Sequence, residues 1–244
     1  MYKLLISIMY HHVNSDRCSN DLYIFEEHLK YIKANFTTIF PTENIKGNCV
    51  CLTFDDAYAD FYYFIFPLLK KYNLKALLAV PSKYILDDCD EQQDIRIGFE
   101  HNDLFKNYQK GTFCTFEELK EMYESGLIQI GSHSHSHVNL TAQNVDVEKE
   151  LKLSKEILEQ KLGMEISSFV FPFGKYNQEI LQKTLKYYKY SFRIGNAIHR
   201  DFKGINGVIY RVNGDGLKRY NEIFSFKKIL GYKIKGLLKR LGSK

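Results

Sequence analysis

The chain predicts an α/β fold with a parallel sheet, and three observations carry that reading. Apolar runs of strand length recur about seven or eight times along its 244 residues. Segments whose apolar residues return at helical spacing lie between them, the alternation that builds parallel sheets. One run, residues 50–54, stops abruptly at two adjacent carboxylates, Asp55 and Asp56. The C-terminal end of a parallel strand is where such sheets place their ligands and chemistry. No internal repeat is evident, and the alternation alone fits a doubly wound sheet and a barrel equally.

Residues 4–9 predict the first strand, which runs into Tyr10-His11-His12-Val13. Polar, turn-like residues 14–22 follow. Phe25, Leu29, Ile32 and Phe36 mark an amphipathic helix over about 23–35. Residues 37–40 read as a short strand and 49–54 as a buried one. The aromatic stretch 60–72 carries Pro67 in its interior, which predicts a kinked helix or two pieces. Residues 77–80 form the next strand, closed by Pro81. Residues 84–112 are polar, acidic and poorly periodic, an inserted loop expected at the rim of a substrate groove. Thr115-Phe116-Glu117-Glu118 is a capping box opening a helix to Ser125, with Gly126 as its stop. Residues 127–130 form a strand that delivers Gly131-Ser132-His133-Ser134-His135-Ser136-His137. Val147, Leu151, Leu158 and Leu162 mark a long helix ending at Gly163, and residues 169–171 a strand ending at Pro172-Phe173-Gly174. Asn177 is placed to cap a helix through Tyr187. Residues 190–194 and 208–212 are the last strands.

With 45% hydrophobic and 26% charged residues the chain is an ordinary globular one, not a disordered segment. Tryptophan is absent, so any stacking on a sugar falls to Tyr and Phe. The net charge of +5 is uneven. Residues 217–244 carry nine Lys/Arg and one Glu, which leaves the remainder mildly acidic. The five cysteines are odd in number and show no zinc-type spacing; Cys49 and Cys51 would share one side of a strand, which is poor disulfide geometry. The apolar N-terminal run lacks a cleavage site and reads as a strand, not a signal peptide. No stretch approaches the roughly 20 apolar residues of a membrane span. A reducing cytoplasmic location is expected.

Two ionised neighbouring aspartates repel, so one needs a cation or a proton. Asp56 with two of the downstream imidazoles is a good divalent-metal set that leaves positions open for water and substrate. Taken alone, Asp55-Asp56 also fits a helix N-cap, and the His/Ser run a solvated loop.

Together these stretches resemble the polysaccharide deacetylase family, the NodB-homology carbohydrate esterases, and among them the poly-N-acetylglucosamine deacetylases. Thr53-Phe54-Asp55-Asp56 matches the family's T-F-D-D motif, and His133, Ser134 and His137 its H-[ST]-x-x-H motif. The resemblance covers about residues 5–215 and implies a distorted (β/α) barrel of about seven parallel strands. It implies a divalent metal, zinc first among candidates, held by Asp56, His133 and His137, with Asp55 as base. Phe171-Pro172-Phe173-Gly174 resembles the third motif; Val170 stands where an arginine is common and Phe173 replaces a tyrosine whose backbone N–H binds the oxyanion. Tyr10-His11 resembles a histidine-bearing stretch after the first strand, making His11 the leading general acid and placing Tyr10, Phe171 and Pro172 against substrate. No C-terminal L-x-H motif is evident. His12 would point away on a strand and be structural. Arg211, at the end of the last strand, would orient Asp55 by a salt bridge. His135 falls at a variable motif position, outside the metal set. Ala57 stands where glycine usually follows D-D, so this turn is expected to have an ordinary backbone conformation.

The expected organisation is a catalytic domain over residues 1–216 and a basic amphipathic tail over 217–244. In the tail Phe224, Phe226, Ile229, Leu230, Ile234, Leu237, Leu238 and Leu241 alternate with lysines and an arginine. That pattern suits an anionic bilayer surface, at the inner face of the membrane, or a terminal helix packed on the barrel. Nucleic acid is not indicated, since no recognition motif accompanies the charge. The expected activity is metal-dependent removal of acetyl from an N-acetylated sugar in a polysaccharide, oligosaccharide or glycolipid. A catalytically silent carbohydrate-binding barrel, and a deacylase for O-acetyl or cyclic amide groups, stand as alternatives.

Overall fold

The computed structural model describes residues 4–242. Strand β1 (Leu4–Tyr10) pairs in parallel with β5 (Asn48–Phe54) over its whole length, Leu4 opposite Asn48 and Tyr10 opposite Phe54. Next to β5 lie β6 (Ala76–Val80), β7 (Ile128–Ser132), β8 (Ser168–Val170), β9 (Tyr190–Ile194) and β10 (Ile209–Asn213) in that order, all parallel. Strand β10 returns to β1, with Val212 opposite Ile8, so seven strands close into a barrel. Below that pairing the two strands diverge, and His199 fills the gap by exchanging both backbone hydrogen bonds with Leu5 at 2.9 Å. The predicted strand over residues 37–40 shortens to β4 (Thr37–Thr38), which pairs with the lower end of β5. A small parallel pair, β2 (His12–Val13) with β3 (Ser19–Asn20), lies in the stretch expected to be only turns.

The strands sort their side chains by a period of two. Ile6, Ile8 and Tyr10 of β1, and Val50, Leu52 and Phe54 of β5, join the outer core under the helices. Leu5, Cys49, Cys51, Leu77, Ala79, Val170, Phe192 and Ile209 form a second cluster that fills the barrel. Cys49 and Cys51 share one side of β5, and both are free thiols.

The outer helices are α1 (Leu22–Asn35), α2 (Phe66–Tyr72), α3 (Gln93–Ile97), α4 (Phe116–Glu124), α5 (Val147–Leu162), α6 (Gln178–Tyr187) and α7 (Phe226–Leu241). The stretch around Pro67 is two pieces: a π-helical turn, Phe61–Ile65, leads into α2, whose first turn holds the proline where no N–H is needed. Helix α4 has the full Thr115/Glu118 capping box, and Asn177 caps α6 by accepting the Ile180 N–H at 2.9 Å. The insertion is folded, not bare loop. Buried Arg96 makes a two-pronged contact with Glu118 at 2.6 and 2.8 Å and tethers α3 to α4.

Candidate active site

The inward series of three strands continues past their ends. On β1 it runs Leu5, Ser7, Met9 and then His11; on β5 Cys49, Cys51, Thr53 and then Asp55; on β10 Ile209 and then Arg211. Alternation therefore aims His11, Asp55 and Arg211 at one point over the barrel's C-terminal mouth. Asp56, His133, His137, Phe171 and Phe173 line the same cavity.

Asp56, His133 and His137 each offer a ligand atom within 4.8 Å of the others. Asp56 Oδ1 lies 3.1 Å from His137 Nε2 and 3.5 Å from His133 Nε2, yet it is buried without a hydrogen-bond partner. His133 Nδ1 is 2.8 Å from the Val170 carbonyl, which can only accept, so Nδ1 carries a proton and Nε2 is the nitrogen left to act as a ligand. Burial pushes the His137 pKa down to about 4, which keeps that ring neutral. Two imidazole nitrogens and an orphaned carboxylate oxygen fit a borderline divalent cation such as zinc. The loop carrying the histidines is pinned by Ser134, whose hydroxyl accepts the His137 N–H at 3.0 Å, and by Glu150, which accepts the Ser136 N–H at 2.8 Å.

Asp55 faces a different neighbour. Its two oxygens accept from Arg211 Nη1 and Nη2 at 2.5 and 2.8 Å, and Nη1 also reaches Thr53 Oγ1 at 3.0 Å. Burial opposes its ionisation, but the Arg211 guanidinium holds the carboxyl well below the usual carboxylate range. His11 Nε2 is 3.9 Å from Asp55, and His11 Nδ1 is 2.7 Å from Asp215. Burial lowers the His11 pKa, but Asp215 outweighs it with the help of Asp55 and Asp56, raising it to about 10.

A sequence profile of the polysaccharide deacetylase family matches residues 42–191. The chain belongs to that family. YxkH of Bacillus subtilis (strain 168), named for the same deacetylases, is 29% identical over 194 residues, 73% of this chain and 60% of its own length. A poly-β-1,6-N-acetyl-D-glucosamine N-deacetylase of Staphylococcus aureus (strain MRSA252) is 25% identical over 175 residues, 64% of this chain and 54% of its own. The chain thus spans little more than half the length of these curated relatives. Among solved structures, the Streptococcus pyogenes deacetylase PplD in complex with acetate superposes with a TM-score of 0.72 at 22% identity, covering 95% of this chain and 99% of that one. IcaB from Ammonifex degensii gives 0.72 at 18%, covering 94% and 97%. These likenesses show the (β/α) deacetylase barrel.

Not every residue that the deacetylase motifs suggested reaches the mouth. Tyr10 is fully buried on the outer face of β1, and its hydroxyl donates to His28 Nε2 at 2.6 Å. It contributes only its carbonyl, which accepts the Asp55 N–H at 2.9 Å. Pro172 is buried and does not line the cavity. His12, read from the sequence as structural, stacks on Tyr58 at 4.0 Å, and His135, read as outside the metal set, bonds Ser82 away from the cavity. The turn after β5 departs from expectation outright: Ala57 has φ +57° and Asp56 φ +71°. An antiparallel bridge from Tyr58 to Phe113, with the Cys114 N–H on the Ala57 carbonyl at 2.8 Å, clamps this left-handed turn in place.

Asp215 escaped the sequence reading. Asn213-Gly214-Asp215-Gly216 looks like a plain turn, and only the barrel's closure brings it to His11. The insertion supplies His101, Asn102 and Phe105 to the rim, and the Phe105 ring stacks on His137 at 4.7 Å. Phe173, 60% exposed, covers the other side of His137 at 4.8 Å.

Proposed function

We propose that the chain hydrolyses the acetamide of an N-acetylated sugar within a polysaccharide, oligosaccharide or glycolipid, using a divalent metal, zinc first among candidates. The observation that carries the reading is the pairing of unlike aspartates. Asp56 turns a bare, buried oxygen toward two imidazole nitrogens, while Asp55 beside it is locked to Arg211. Asp56, His133 and His137 would hold the cation, which when bound supplies Lewis-acid polarisation and a water of lowered pKa.

The chain's own residues supply the rest. Asp55 stands ready to take the proton of the attacking water. Its bond to Arg211 weakens it as a base, so what the pair gives is a fixed, ionised acceptor. Phe173, at φ +57°, turns its backbone over the mouth, where its N–H is the donor assigned to the developing oxyanion. His11, kept protonated by Asp215, gives its proton to the leaving amine. Phe105 and Phe173 flank His137 with apolar faces that keep the metal side dry.

Acetate release is the test, measured from β-1,6-linked N-acetylglucosamine oligomers and a panel of other N-acetylated and O-acetylated sugars. Release should vanish after chelation, return with zinc, and fall steeply in Asp55→Asn. Protein that binds one zinc through Asp56 yet releases no acetate from any of these sugars would point instead to a silent binding barrel.

A further inference from the structure

Helix α7 has two apolar faces. Ile229, Tyr232 and Gly236 form one, which lies on the barrel; Gly236 sits so close that an added Cβ would come within 3.4 Å of the Ile198 carbonyl. The other looks outward. Phe226, Leu230, Ile234, Leu237, Leu238 and Leu241 are between 46% and 84% exposed. At 100° per residue these six fall within about 120° of the helix circumference, opposite the packed face. They are half of the twelve exposed large hydrophobics among the described residues, gathered into one stripe. Contiguous patches of this kind mark interaction surfaces, not chance exposure.

The charges beside the stripe select its partner. Helix α7 contains five lysines and one arginine and no acidic residue. On the helical wheel Lys233 and Arg240 border one edge of the stripe and Lys228 and Lys235 the other. Two copies of this chain meeting through the stripe would bring these like charges together. A lipid surface accepts the apolar side chains between its acyl chains while the lysines reach back to its headgroups.

We propose that α7 docks the barrel onto an anionic phospholipid bilayer, with the apolar stripe inserted at the headgroup boundary and the flanking cations on the lipid phosphates. Lys227 and Lys228 line a groove with Asp215, the partner of His11, so the docked helix lies on the flank of the barrel that carries Asp215. No helix among the described residues is long and apolar enough to cross the bilayer, so the contact is a surface one.

The test is sedimentation of the full chain with vesicles of phosphatidylglycerol and phosphatidylcholine, against vesicles of phosphatidylcholine alone. Binding should be at least roughly tenfold stronger to the anionic vesicles and weaken at high salt. Leu230→Glu with Ile234→Glu should abolish it while leaving the melting temperature within a few degrees, because about half of each residue is already in solvent. Should that variant misfold, Lys228→Gln with Lys235→Gln keeps the stripe and should cost about thirtyfold in anionic binding. Equal affinity for both vesicle types, no binding to either, or unaltered binding in the folded variants would overturn the proposal. A dimer that Leu230→Glu dissociates would also overturn it, by assigning the stripe to a second copy.

Discussion

The two ends of the barrel handle left-handed backbone in opposite ways. At the base, where helices hand over to strands, positive φ falls largely on residues that adopt it cheaply: Gly47, Asn73, Gly126, Gly163 and Gly207. On the mouth side, besides Gly174, Gly216, Asn14, Asn144 and Asn196, it falls also on Cys18, Asp56, Ala57, Ser134, His137 and Phe173. Each such residue stores roughly 1–3 kcal/mol of backbone strain. The base needs only to turn the chain. The mouth must also aim an Asp, a His and a backbone N–H at fixed points, and glycine has no side chain to aim. Strain therefore gathers where the chemistry is, held by the Tyr58–Phe113 bridge and by the Ser134 and Glu150 hydrogen bonds.

Removing the strained residue proposed as a metal ligand should give the largest effect. Asp56→Ala takes away the one oxygen facing both imidazoles, so acetate release should drop roughly a thousandfold, the equivalent of several kcal/mol of barrier. Stability should behave differently from activity. Metal-free, the variant should melt no lower than the parent, because a buried carboxylate oxygen without a partner has gone; the rise in melting temperature that zinc should give the parent is expected to disappear. Calorimetry with and without zinc reads both. A metal-free variant several degrees less stable would mean that Asp56 serves the fold first.

A smaller effect is expected at Asp215, which acts only through His11. Asp215→Asn removes the main influence holding the His11 pKa near 10 and leaves burial, which lowers it, set against Asp55 and Asp56, which still raise it. The alkaline limb of the pH–rate profile should therefore move down by a unit or more, with the rate near pH 6 little changed. The linked stability has a definite sign. A histidine whose folded pKa is raised stabilises the fold fully below its unfolded pKa of about 6.5, and that contribution is lost as pH rises through about 10. The parent should lose stability across that window, and Asp215→Asn should lose less. An unmoved limb would remove His11 from proton transfer.

What the sequence reveals also divides between the two ends. The order of elements, the caps at Thr115 and Asn177, and the breaks at Gly126 and Gly163 follow from local rules. So does the inward series ending at Asp55, since period two continues from Cys49, Cys51 and Thr53. The same rule places Tyr10 outside, with Ile6 and Ile8, so its burial was readable and only a motif-level likeness drew it to the site. Asp215 was not readable, because its partner His11 lies 204 residues away and meets it only when β10 closes on β1. Nor was the turn at Ala57. Residue type argues against a left-handed alanine, and what enforces it is a bridge to Phe113 across an insertion that no periodicity predicts.

The smallest predicted effect probes the contrast most directly. Gly163 has φ +66° with nothing near enough to meet a new Cβ, so Gly163→Ala tests backbone strain alone and should destabilise by about 1 kcal/mol. Ala57→Gly runs the other way. It relieves strain of similar size but gives up a fully buried methyl, about 0.8 kcal/mol, and loosens the unfolded chain, so it should leave stability within about 0.5 kcal/mol of the parent. An alanine-to-glycine change at Ala79, buried on an ordinary strand, has no strain to relieve and should cost well over 1 kcal/mol. Denaturant midpoints for the three variants compare these sites on one scale. If Ala57→Gly costs as much as Ala79→Gly, the turn beneath Asp56 stores no strain and the contrast between mouth and base fails. If it is neutral but weakens zinc affinity, the stiffness of the alanine is what keeps Asp56 aimed.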